Sequence, residues 1–141
     1  IVGIFGSAGK IIWGTVSDAI GRKWAMVIVY LIHTAAFALF GLWPTPLGFT
    51  CSAILFGLAA WSIPAIMSAT CGDVLGARLA PAALGFITMF FGIGQAIGPS
   101  VAGAMADQFG TFGPGFVLAA GVALIGALGA ALLRPAAETH A

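Results

Sequence analysis

Ten residues near the start of the chain, Gly14-Thr-Val-Ser-Asp18-Ala-Ile-Gly21-Arg22-Lys23, gather a carboxylate, two cations and two glycines in one short stretch. Gly14 and Asp18 are one helical turn apart and share a face. A glycine beside a carboxylate at a helix end lets a second helix come close. Asp18 can then accept from the open N–H groups of that helix while pairing with Arg22. Gly21 permits a tight reversal between the two. This is the chemistry of a latch that holds one conformation and releases in another. The plainer reading is a solvated loop that carries charge.

Four further side chains stand out because their surroundings are apolar. Lys10 precedes Asp18 by eight residues, ~12 Å along a helix. A lysine at that depth could hold a substrate carboxylate, snorkel to an interface, or pair with a carboxylate elsewhere. His33 could relay a proton or hydrogen-bond a facing helix. Gln95 could contact a substrate, and Trp61 with Pro64 puts an aromatic ring and a helix break in mid-run. Asp18, Asp73, Asp107 and Glu138 all fall at or beyond the ends of apolar runs, so the runs contain no carboxylate for a proton. Asp73 and Arg78 are near enough in sequence to pair, although an exposed pair is worth only ~0–1 kcal/mol. Cys51 and Cys71 lie ~30 Å apart on one helix, which forbids a disulfide. They match no metal spacing and serve as small apolar fillers.

The elements that position these residues follow from composition. The chain has 141 residues, 61% of them hydrophobic and 6% charged, with net charge +1; its mean hydropathy is +1.13. A soluble domain carries about 25% charged residues and could not cover its surface with so few. The class is an integral membrane protein. Disorder, a secreted disulfide scaffold and a nucleic-acid partner are excluded together, since the charge leaves no electrostatic footprint on DNA or RNA. Charge-free runs of 49 residues after Lys23, 28 after Arg78 and 26 after Asp107 parse the chain into spans of about 20 residues each. Gly41-Leu-Trp-Pro44-Thr-Pro46-Leu-Gly48 divides the longest run. The expected fold is all-α, a polytopic transmembrane bundle of about five helices near 1–17, 24–42, 49–71, 81–104 and 114–133.

Lysine and arginine set the orientation. Arg22 and Lys23, Arg78 and Arg134 fall in the first and third connections and after the last helix, and none falls in the second or fourth. The positive-inside rule places those connections and the C-terminus in the cytoplasm. Trp24 and Trp43 stand at opposite ends of the second helix, where interfacial tryptophan belongs. With no initiator Met and no basic n-region, 1–17 is not a signal peptide, and the chain is expected to be a piece of a longer protein.

G-x-x-x-D-x-x-G-R-K between two membrane helices resembles the signature loop of the major facilitator superfamily, with all five key positions matched by Gly14, Asp18, Gly21, Arg22 and Lys23. A second element agrees. Gly94, Gly98, Ala102 and Ala106 form a ridge of small residues suited to helix packing. With Pro99 and Gly103 they give a G-x-x-x-G-P-x-x-x-G form similar to the family's Gly-Pro helix at its fifth and eleventh positions. The resemblance implies a transporter of twelve helices in two halves. The run Pro81 to Phe112 is similar to the eleventh-helix region of bacterial inner-membrane members, and two features point to helices eight to twelve: the third helix has no basic residue, where the family's fourth usually carries an Arg, and a short polar tail ends the chain. The N-terminal half of the same chain, the bilayer and a small-molecule substrate would then be the partners. Lys10 makes that substrate a candidate anion. Protons, if coupled, would use a carboxylate of the other half.

The leading reading is therefore a secondary active transporter of a small solute working by alternating access. The sequence has no paired intramembrane carboxylates, no Ser–His arrangement and no phosphate loop, so no enzyme, cofactor or metal is expected. Two alternatives stand beside it. One is a small oligomeric channel or exporter, which would ordinarily need a membrane-embedded Glu. The other is a membrane scaffold that keeps the fold without transport.

Overall fold

A computed structural model describes residues 12–133. Lys10, Arg134, Glu138 and most of the helix expected at 1–17 lie outside the described residues. Among those residues the chain is helical throughout, with no strand: α1 (12–20), α2 (Arg22–Leu42), α3 (Pro46–Ala60), α4 (Ser62–Phe109) and α5 (Gly113–Leu132). The helical runs Arg22–Leu42, Pro46–Phe109 and Gly113–Leu132 are each long and apolar enough to cross a membrane.

Local chemistry explains each break. Gly21 alone separates α1 from α2, at φ +88° and ψ 147°, a region open essentially to glycine. Trp43 to Thr45 form the second connection, where Thr45 caps α3 by accepting from the Gly48 N–H at 3.1 Å and Pro46 occupies the first turn. The expected helix at 49–71 is interrupted at Trp61. Pro64 accounts for this: it has no N–H to donate, and its ring crowds the carbonyl four residues back, that of Ala60, where α3 ends. The expected helix at 81–104 starts earlier and ends later, as the part of α4 beyond Gly76. Gly76 has φ +72° and ψ 169°, nearly the conformation of Gly21, and breaks α4 in two. Pro99 leaves the backbone dihedrals helical; the one non-helical residue inside α4 is Gly76. Gly110 closes α4 in the left-handed conformation, its N–H bonded to the Ala106 carbonyl at 2.8 Å.

The core sits along α2, which packs most extensively on α5 and next on α3. Small residues make the close approaches. The buried face of α5 is Ala120, Ala123, Ala127 and Ala130, and Ala25 and Ala36 of α2 are fully buried. A Cβ on Gly41 would lie 2.9 Å from the Gly113 carbonyl oxygen and 3.2 Å from the Val117 nitrogen. One on Gly126 would lie 2.9 Å from the Tyr30 ring. At Gly94, Gly98 and Gly103 a Cβ would meet nothing within 4 Å, so the ridge expected to pack helices does not carry the contacts within this bundle. The chain does use it once, where Gly115 approaches Ala102. A ladder of rings, Phe56, Phe37, Phe116, Phe40 and Phe49, ties α2, α3 and α5, with Phe40 and Phe116 centroids 4.0 Å apart. The Ser52 hydroxyl of α3 donates to the Ala36 carbonyl of α2 at 2.7 Å.

The two glycine classes separate in a stability measurement. Gly41→Ala overpacks backbone against backbone and is expected to destabilise by about 1–3 kcal/mol. Gly94→Ala, with room for its methyl, is expected to be neutral or to stabilise by up to about 1 kcal/mol through helix propensity. Reversible unfolding in detergent micelles checks both.

Candidate functional site

Two places gather the residues singled out by the sequence. The first lies at the end of the bundle where α1 meets α2. The Arg22 guanidinium, at the first residue of α2, binds three groups at once. Its Nη1 lies 2.6 Å from Asp18 Oδ1 and donates to Ser17 Oγ at 2.6 Å; its Nε donates to Asp73 Oδ2 at 3.0 Å. Ser17, 2% exposed, donates a hydrogen bond from its hydroxyl to the Gly14 carbonyl at 2.9 Å. Arg22 thus joins α1 and α2 to the stretch of α4 just before its break. The planar fork suits this, because two carboxylates can be engaged from different edges.

Asp18 and Arg22 pair, and Gly21 makes the reversal. Asp18 meets the Arg22 side chain rather than the N-terminus of a neighbouring helix, and a Cβ on Gly14 would touch nothing within 4 Å. Lys23 lies over the Trp24 ring, 5.6 Å from its centroid, a cation–π contact. Asp73 does not pair with Arg78; it pairs with Arg22. The turn at Gly76 falls between Asp73 and Arg78 and sends the second part of α4 away from the first. Ser17 and the Asp73 partnership were missed in the sequence. Ser17 occupies a variable position of the motif, and a partner 51 residues away leaves no local pattern.

The second place is a cleft of about 710 Å3 between α2, the two parts of α4, and α5. Tyr30, His33, Phe37, Phe91, Gly98 and Phe116 are among the residues that line it, Gly94 also does, and no charged side chain does. His33 is 8% exposed; its Nδ1 donates to the Val29 carbonyl at 2.9 Å, and Phe56 meets its ring edge-on at 5.6 Å. Gln95, on the neighbouring face of α4, is exposed and outside the cleft lining. Trp61 is 52% exposed at the break between α3 and α4 and also lies outside it. Of the candidate substrate contacts, His33 alone reaches the cleft, while Lys10 is outside the described residues. Among these residues no group of His, Cys, Asp and Glu could hold a metal ion.

The ion pairs at the α1–α2 junction are half-exposed, with side chains 27%, 65% and 50% accessible for Arg22, Asp18 and Asp73. Such pairs couple by about 0.2–1 kcal/mol. A double-mutant cycle of Arg22→Gln and Asp73→Asn, read by unfolding in micelles, is expected to return a coupling in that range that shrinks with added salt. The matching cycle of Arg78→Gln and Asp73→Asn is expected to return none.

The family model of the Major Facilitator Superfamily matches residues 1–141. No curated protein and no solved structure matches the chain. A whole-chain match, helices fit to cross a bilayer in succession, and the signature loop folded around its own arginine agree with one another. The chain belongs to the Major Facilitator Superfamily of membrane transporters.

Proposed function

We propose that this chain is the C-terminal half, about helices eight to twelve, of a secondary active transporter that moves a small solute by alternating access. Its N-terminal half is the remainder of the same polypeptide. The protein sits in the inner (plasma) membrane, with the Arg22 end of the bundle and the C-terminus in the cytoplasm; the asymmetric lysine and arginine count supports that orientation. One observation carries the mechanistic reading. Arg22 ties the α1–α2 reversal to α4 through ion pairs that are half-exposed, so they can break into water at small cost and re-form. A strong, buried network would lock one state; this one can only bias a balance between two.

Gly14, Asp18, Gly21, Arg22 and Lys23 form the conformational latch in this scheme. Gly94, Gly98, Pro99 and Gly103 form the face of α4 offered to a partner helix or to gating movement. Lys10 is the leading contact for an anionic group of the substrate, and His33, Gln95 and Trp61 are candidate contacts for its uncharged parts. Coupling protons would use a carboxylate of the N-terminal half, since the apolar runs here contain none.

Two experiments on the intact protein test this. With Cys51 and Cys71 replaced, Asp18→Asn is expected to shift the ratio of labelling at single cysteines on the two membrane faces by about two- to fivefold, the range that a loss of ~0.5–1 kcal/mol permits. Unchanged labelling with normal expression returns Asp18 to a solvating role. Lys10→Ala is expected to abolish protection by an anionic substrate in a thermal-shift assay, while Lys10→Arg keeps part of it. A Lys10→Ala protein that is stable and fully protected by the same substrate removes Lys10 from the site.

A further inference from the structure

The cleft between α2, α4 and α5 has a recognition chemistry of its own, different from that of an anion site. Its volume of about 710 Å3 falls in the range of small-molecule pockets, about 300–1,000 Å3. Phe37, Phe91 and Phe116 supply aromatic walls, and no lining residue carries a formal charge at neutral histidine. Within this apolar lining one polar side chain is more than nine-tenths buried: His33, at 8% exposure. Its Nδ1 is already committed, because a carbonyl can only accept, so the proton bonded to Val29 sits on Nδ1. In neutral imidazole the other nitrogen, Nε2, is then an acceptor. No protein group among the described residues donates to it; it keeps some accessible surface, and His33 is one of the residues that line the cleft. A nearly buried acceptor without a donor on an apolar wall is an unfilled recognition element. Tyr30, about one turn earlier on the same face of α2, lines this wall as well.

We infer that this cleft binds an uncharged, predominantly apolar molecule of one or two fused rings, or its aliphatic equivalent, carrying one hydrogen-bond donor that Nε2 of His33 accepts. The inference goes beyond the transport reading and does not need it, nor Lys10; such a site operates in a protein that transports nothing. With His33 neutral, a carboxylate ligand is disfavoured there, since it would bring a charge into an apolar wall and place acceptor against acceptor. It also assigns a use to Gly98, where a Cβ would meet nothing within 4 Å. There the missing side chain leaves room for the ligand.

The test uses the full chain in nanodiscs and three probes of similar size, with uptake by empty nanodiscs subtracted: 1-naphthol, 1-methoxynaphthalene, which lacks the donor, and 1-naphthoate, which is anionic. Saturable 1-naphthol binding is expected, about tenfold or more tighter than the methyl ether, with no saturable binding of the naphthoate. His33→Phe keeps a ring and removes the acceptor, so the preference for naphthol over its ether is expected to fall to about unity. His33→Gln returns an acceptor and is expected to recover part of it. Gly98→Leu grows into open space and is expected to abolish binding of both neutral probes while the protein stays folded. Displacement of naphthol by 1-monoolein assigns the physiological donor to a hydroxyl-bearing lipid, and lack of displacement assigns it to a solute; either keeps the site. The inference is overturned by no saturable naphthol binding, by naphthoate binding as tightly, or by a naphthol preference that survives His33→Phe. The wild-type comparison of the three probes stands even if a variant fails to fold.

Discussion

Apolar burial cannot draw helices together inside a bilayer, because lipid tails are as apolar as leucine. What remains is dispersion between surfaces brought close enough to touch, and that requires small residues where helices meet. The α2–α5 contact meets this constraint along its length. Alanines at 120, 123, 127 and 130 line the buried face of α5, and Gly41 sits against Gly113 with backbone nearly on backbone. The larger side chains of α5, among them Ile125 and Leu132, point outward and are 69% and 84% exposed, where lipid is an equivalent solvent. The usual soluble pattern of large residues inside and small ones outside is reversed. Everything else hangs on this pair: α3 docks on α2 through Ser52 and the phenylalanine ladder, and α4 returns to α5 at Ala102 and Gly115.

Against this tightly packed centre, the Arg22 end is held loosely. Two connections there, at Gly21 and Gly76, use almost the same glycine-only backbone conformation, and Arg22 bonds residues just before each: Ser17 and Asp18 before Gly21, Asp73 before Gly76. Backbone geometry fixes where the chain turns, while the ion pairs set how firmly α4 is held to the α1–α2 reversal. Weak, solvent-reachable pairs suit the latch proposed above. The same pairs would contribute little to a static fold.

The cleft follows from the break at Gly76. Because the second part of α4 departs from the first and rejoins the bundle only near Ala102, a wedge of space opens beside α2, with His33 on its wall. The absence of side chains at Gly94 and Gly98 enlarges that wedge. These glycines looked in the sequence like a packing seam, since i, i+4 spacing cannot say whether another helix or a cavity faces the stripe.

The sequence by itself determined the class and the family. Composition left too few charges to cover a soluble surface, and the positions of Arg22, Lys23, Arg78 and Arg134 alternate with the apolar runs. The Asp18–Arg22 pair and the Gly21 reversal were legible because they are local, separated by one turn and governed by backbone and charge rules that act at short range. Trp61 with Pro64 announced a break for the same reason, and the turn after Leu42 was written in Pro44 and Pro46. Only the tertiary structure decided which glycines are tight, that Asp73 turns to Arg22 and away from Arg78, and that His33 faces a cleft while Gln95 and Trp61 do not. Those outcomes depend on which helix faces come together across 50 or more residues. In a chain so uniformly apolar, no strong hydrophobic periodicity marks a face as inside or outside. The choice falls to shape complementarity between small residues, which exists only once the helices have met.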